Sequence, residues 1–248
     1  MYTTVHGLVL REVKFKEADK MLTVLTQEEG KLSVRARGAL RKSCRFAAAS
    51  QQLTYSEMTL FLNRGRYALE EASVVEDFSG LRENLEALAL ASYFAELLEA
   101  VSDEDSPEPE LLRLGLNALF ALSRGMYAPR LIKAAFELRA MCLSGYEPQL
   151  AYCEACGKVD ITRGVLNPVG GTLLCADCAG RMEVGGEALD TSVLDAMRHI
   201  AGAELKRVFS FSIGDEDAAR RLSRLCERYA AVQLDRGFGT LDYYKKLI

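Results

Sequence analysis

At 248 residues with 49% hydrophobic side chains, the chain can bury one or two cores, and its composition excludes an intrinsically disordered polymer. The formal charge of −4, from 31 basic and 35 acidic side chains, argues against a uniformly cationic nucleic-acid binder. No apolar run reaches the roughly 20 residues of a membrane-spanning helix, and the start, MYTTVHGLVLREV, has neither the basic opening nor the cleavage site of a secretory leader. A cytoplasmic protein is expected.

Residues 3–75 read as five short strands. Thr4–Phe15 is rich in Val and Leu. Met21–Gln27 and Leu32–Ala36 alternate apolar and polar around a turn at Glu28-Glu29-Gly30-Lys31. Gln52–Leu62 and Tyr67–Val75 flank a second turn, Asn63-Arg64-Gly65-Arg66. Five such strands suit a small closed barrel, and the OB-fold is the commonest one with a nucleic-acid role.

Helical periods follow. Leu81, Leu85, Leu88, Ser92, Ala95, Leu98 and Val101 share one face. An acidic loop, 102–107, ends that helix; Pro109 and Pro129 then suit the first turns of two more, over Leu111–Met126 and up to about Leu143. Gly145-Tyr146-Glu147-Pro148 stops the third. Helical patterns return at Leu189–Ala201 and Asp215–Leu234, and an aromatic, basic tail runs from Arg236 to Ile248.

Between these helices lies the sharpest chemical signal. Cys153 and Cys156 form one C-x-x-C pair, and Cys175 and Cys178 form another, with eighteen residues between the pairs. Two residues between cysteines let one tight turn aim both sulfurs at a single ion, and the gap matches a zinc ribbon. Gly157 would let the chain turn back with a positive φ. Four thiolates fill a tetrahedral zinc site, so the expectation is one structural Zn2+ with no open catalytic position. The odd total of seven cysteines argues against a disulfide framework. Cys142 and Cys226 lie on apolar helix faces, and Cys44 lies in a basic loop.

The second signal is local charge. Residues 31–66 carry Lys31, Arg35, Arg37, Arg41, Lys42, Arg45, Arg64 and Arg66 against one acid, Glu57. These cations can neutralise phosphates, and Ser43 and backbone amides can hydrogen-bond them. Phe46, Tyr55, Phe61 and Tyr67 can stack on bases or can fill the barrel. A basic run can equally be a solvated loop; the OB-like context favours binding. His6 and His199 read as structural or surface residues, and no phosphate-cradling glycine motif is present. No catalytic constellation and no small-molecule substrate are expected.

The order of several segments resembles the RecO family of recombination mediators. These are Gly7-Leu-Val-Leu-Arg11, Glu17-Ala-Asp19, Leu25-Thr26 with Gly30-Lys31, and Gly38-Ala-Leu-Arg41-Lys42-Ser43. Phe136-Glu-Leu-Arg139, Gly145-Tyr146-Glu-Pro148, Asn167-Pro-Val-Gly170-Gly171-Thr-Leu-Leu-Cys175 and Thr240-Leu241-Asp-Tyr-Tyr follow. The resemblance implies an α+β multidomain chain: an N-terminal OB-fold β-barrel for DNA binding (1–80), an α-helical domain (81–150 and 184–248), and an inserted four-cysteine zinc ribbon (151–183). It implies a non-enzymatic DNA repair role in the RecFOR pathway. Such proteins bind single- and double-stranded DNA, anneal complementary strands and, with RecR, help load RecA on DNA coated by single-stranded-DNA-binding protein (SSB). It also implies contact with the SSB C-terminal tail, for which Arg130, Lys133 and Arg139 are the candidates, no membrane partner, and a nucleoid-associated location. Two other readings stay open on the residues alone: an RNA-binding or transcription-associated OB-fold and zinc-ribbon protein, and a thiol oxidoreductase using the C-x-x-C pairs.

Overall fold

A computed structural model describes residues 1–184 and 186–248. The chain packs as two compact units, Met1–Arg124 with Phe238–Ile248, and Gly125–Gly237.

The first unit opens with β1 (Tyr2–Phe15), β2 (Asp19–Thr26), β3 (Gly30–Ala36), β4 (Tyr55–Asn63) and β5 (Arg66–Glu76). They close into the expected OB-type barrel in the order β1-β2-β3-β5-β4. Only β3 and β5 pair in parallel. The period of two is visible in β3, where Leu32, Val34 and Ala36 turn inward and Ser33 outward. With Val5, Val9, Leu22, Val24, Met58, Leu60 and Leu69 they fill the barrel, and Phe46 and Tyr67 pack partly buried against this core.

α1 (Leu85–Val101) is capped by the Asn84 side chain, which accepts from the Glu86 and Ala87 N–H groups. The sequence suggests a one-faced helix, but Ala89, Ala91 and Ala95 are buried beside Leu90, Tyr93, Phe94, Leu97 and Leu98, so burial extends around most of its circumference, and Leu85 is exposed. α2 (Pro109–Ser123) starts at Pro109, as its fixed φ favours.

The second unit is built on α3 (Pro129–Leu143). β6 (Arg163–Asn167), β7 (Thr172–Cys175), the short α4 (Ala176–Arg181) and β8 (Ala188–Asp190) follow, with sheet order β7-β6-β8. α5 (Thr191–Gly202) and α6 (Glu216–Gln233) complete it, each capped by an aspartate, Asp190 and Asp215. Helix was expected from Leu189, but Ala188–Asp190 pair with β6 instead. Two bonds tie down the chain around the ribbon: the Gly171 carbonyl accepts from Gln149 N–H at 2.7 Å, and the Tyr229 hydroxyl of α6 donates to the Tyr146 carbonyl at 2.8 Å.

The tail returns to the first unit as α7 (Gly239–Lys245), a helix with no strong period in the sequence. Phe238 meets Tyr93 edge-on at 5.4 Å, and the Thr240 N–H donates to Glu96 at 3.1 Å.

Two turn glycines test the barrel. Gly30 and Gly65 both sit at positive φ, 74° and 73°. A Cβ on Gly30 would lie 2.3 Å from the Ser106 carbonyl oxygen, whereas one on Gly65 meets nothing within 4 Å. Gly30→Ala adds overpacking to backbone strain and should cost about 2–4 kcal/mol of unfolding free energy, against about 1 kcal/mol for Gly65→Ala. Denaturant midpoints check the order; equal losses would contradict it.

Candidate nucleic-acid interface and metal centre

The loop after β3 carries the expected cations, and Asp19 organises its start. One Asp19 oxygen accepts from Arg35 Nε and Nη2 at 3.0 and 2.7 Å; the other accepts from Gly38 N–H at 2.8 Å. The Gly38 N–H, followed by Arg35, holds the Asp19 carboxyl below the usual carboxylate range. Leu40 N–H donates to the Ala18 carbonyl at 2.9 Å, so the β1–β2 turn and the basic loop are joined. Arg41 N–H then bonds the Gly38 carbonyl, and Cys44 N–H the Arg41 carbonyl, folding the loop into consecutive tight turns.

This framework divides the eight cations. Arg35 is spent on Asp19 and lies 5.4 Å from the Phe15 ring centroid. Lys31 donates to the Glu99 and Ser102 carbonyls, satisfying the open end of α1. Arg37, Arg41, Lys42 and Arg45 are exposed and make no side-chain hydrogen bond or ion pair among the described residues. Arg64 and Arg66 are likewise exposed, on the β4–β5 turn. In the β3–β5 register Tyr67 faces Val34 and Leu69 faces Ala36, so Arg66 lies four residues before the level of Arg37, on the order of 13 Å along the strands.

Arg37, Arg41 and Arg45 line a cleft of about 440 Å³ with Ser43, Phe46, Glu70, Glu71 and Ala72. No sequence signal marked these acids. None marked Lys14, Lys16 and Phe15 either, all exposed at the β1–β2 end, with the Lys16 ammonium 5.6 Å from the Phe15 ring centroid. Interleaved Glu12 and Glu17 cancel that charge along the chain. Of the remaining aromatics, Phe61 pairs with Tyr2 at 4.9 Å, and Tyr55 lies 6.5 Å from His6.

In the second unit the four C-x-x-C sulfurs lie within 4.8 Å of one another. A metal–sulfur bond of ~2.3 Å in a tetrahedron spaces its sulfurs by roughly 3.8 Å, and Cys156 and Cys175 sulfurs stand 3.9 Å apart. Gly157, at φ 72°, donates its N–H to the Cys153 carbonyl, the reversal its position predicted. Cys175 ends β7 and caps α4, which carries Cys178. The Cys175 N–H donates to Cys153 Sγ at 3.3 Å, and Arg181 donates to Cys178 Sγ at 3.0 Å. Such donors are what an anionic tetrathiolate needs around it. These residues could hold a metal ion. All seven cysteines are unpaired; burial pushes the thiol of half-buried Cys142 up to about 12 and that of the core residue Cys226 well above its usual value, so neither offers a ready thiolate.

Of the three cations considered for an acidic tail, Lys133 is 3% exposed, with its ammonium between Glu137 and Glu227 at 2.9 and 2.8 Å. It presents no charge to solvent. Arg139 donates to the Ala201 carbonyl, and Arg130 pairs with Glu216 while remaining partly exposed.

Residues 1–78 match the family model described as recombination protein O N terminal, and residues 82–242 that described as recombination protein O C terminal. The chain is similar to the DNA repair protein RecO of Acetivibrio thermocellus, with 30% identity covering 99% of this chain and 97% of that one. It is 32% identical to the DNA repair protein RecO of Symbiobacterium thermophilum (98% and 96%). It is 28% identical to that of Alkaliphilus metalliredigens over the full length of both.

Proposed function

We propose, from the premise that this chain belongs to the RecO family of DNA repair proteins, that it is a non-enzymatic recombination mediator acting through DNA binding. The observation carrying this reading is the set of unpaired cations Arg37, Arg41, Lys42 and Arg45 on the loop that follows β3, where the strand cations Lys31 and Arg35 are spent internally. Phosphate neutralisation at this loop holds a strand without reading its sequence. Holding two complementary strands raises their local concentration, so annealing needs no bond-making step. RecR is the proposed partner in loading RecA on SSB-coated DNA. For the SSB C-terminal tail, Arg130 is the proposed contact, since Lys133 is enclosed.

Cys153, Cys156, Cys175 and Cys178 would hold one structural zinc, which supplies a tetrahedral cross-link and leaves no position for substrate. No helix among the described residues is long and apolar enough to cross a membrane.

Anisotropy titrations of labelled single-stranded DNA at several salt concentrations test the interface. Replacing Arg37, Arg41, Lys42 and Arg45 together by alanine should weaken binding. The log–log salt slope should fall by about 3, at roughly 0.7 per lost phosphate contact. Thermal stability should stay unchanged. An unaltered slope would remove this loop from the interface, and tighter binding of a matched RNA would favour the RNA-binding alternative.

A further inference from the structure

Building on the DNA-binding reading above, we propose that the cleft between the basic loop and β5 seats one unstacked nucleotide and selects bases that carry an exocyclic amine. The cleft has two chemically opposite walls. Arg37, Arg41, Ser43 and Arg45 form the donor wall, suited to a phosphate. Glu70 and Glu71 form the acceptor wall, and Phe46 lines the space with its partly buried ring.

The acceptor wall depends on a specific backbone device. In a regular strand, adjacent residues point to opposite faces, so one of Glu70 and Glu71 would enter the barrel core. The β4–β5 register slips here: Thr59 faces Glu71, but Leu60 faces Leu69. Glu70 is the extra residue of a β-bulge. Leu69 therefore stays in the core at 3% exposure, while both carboxylates are exposed. Neither makes an ion pair with the arginines across the cleft, and no other partner engages them among the described residues. Two opposed, unneutralised walls around about 440 Å³ suit a ligand that is itself anionic at one end and a hydrogen-bond donor at the other.

A nucleotide has that polarity. Cytosine presents an N4 amine to a carboxylate, and adenine and guanine also carry amines. Thymine offers only an imide N–H flanked by two carbonyl oxygens, which a carboxylate repels. Phosphate on the arginines and base towards β5 places the amine at Glu70 or Glu71.

The test compares oligo-dC with oligo-dT of equal length, at mildly alkaline pH where oligo-dC stays unfolded, by competition against one labelled strand. The full-length wild-type protein should prefer oligo-dC by about 3- to 10-fold. Glu70→Ala with Glu71→Ala should bring the ratio to about one while tightening both, because two negative charges leave the site. These exposed side chains have no partners to lose, and the wild-type comparison needs no variant. Equal wild-type affinities, a thymine preference, or a variant that tightens both strands with an unchanged ratio would overturn the inference. Failure of the DNA-binding reading is distinct: neither oligomer would bind.

Discussion

Cys153→Ser should abolish metal binding at the four-cysteine cluster. Wild type should contain about one zinc per chain and the variant close to none, by metal analysis of the purified proteins. The loss is large because Cys153 serves the site twice: it offers a ligand, and its sulfur accepts the Cys175 N–H that fixes the second pair beside the first. Structural zinc sites carry apparent binding free energies of about 10–16 kcal/mol in small domains, most of it folding free energy. Apart from the cysteines, the segment 151–183 has only short elements, a four-residue strand, a six-residue helix and a five-residue strand, and a small buried set of Ile161, Leu166, Leu173 and Leu174 to hold it. Protease cleavage within this segment should therefore rise sharply in the variant, and chelator treatment of wild type should reproduce the effect. Full zinc occupancy in Cys153→Ser would overturn the assignment.

The second large effect concerns Lys133. Its ammonium lies 3% exposed between Glu137, fully buried, and Glu227. Removing one member of a buried ion pair strands a charge in low dielectric, at a cost of about 3–5 kcal/mol. Lys133→Met should lower unfolding stability by that amount. Combining it with Glu137→Leu should restore most of the loss, since Glu227 can turn to water. A single variant within about 0.5 kcal/mol of wild type would contradict the ion pair, because that is the range of ordinary surface changes. Burial lowers the Lys133 pKa, but Glu137 and Glu227 outweigh it and hold the group above the ordinary lysine value. The stabilisation is therefore fully present below the unfolded value of about 10.4. It is lost only as pH rises through the raised folded value.

Local rules reached the parts of this chain whose determinants are local. Pro129 and Gly145 bracket α3, and alternation around two glycine turns marks β2 to β5. The zinc-ribbon spacing brought four sulfurs together because each pair is formed by one turn. What the sequence did not show depends on distant partners. Lys31 and Arg35 read like their neighbours, yet a helix end 68 residues away takes one and Asp19 takes the other. Lys133 read as a candidate contact for the SSB tail because half of its enclosure comes from Glu227, 94 residues along. Glu70 and Glu71 gave no sign of facing one cleft, since a bulge is a property of two strands in register. β8 and α7, three and seven residues long, are too short to carry a detectable period.

The return of α7 to α1 has a consequence for synthesis. Thr240 closes on Glu96 across 144 residues, so the first unit cannot be finished until α7 has left the ribosome. In the interval the barrel and α1 exist without α7, leaving Tyr93 uncovered where Phe238 will sit. The interrupting unit has its whole sequence emerged before the unit that precedes it does. A stop codon at or before Phe238 should therefore injure the N-terminal unit, the part of the protein made first.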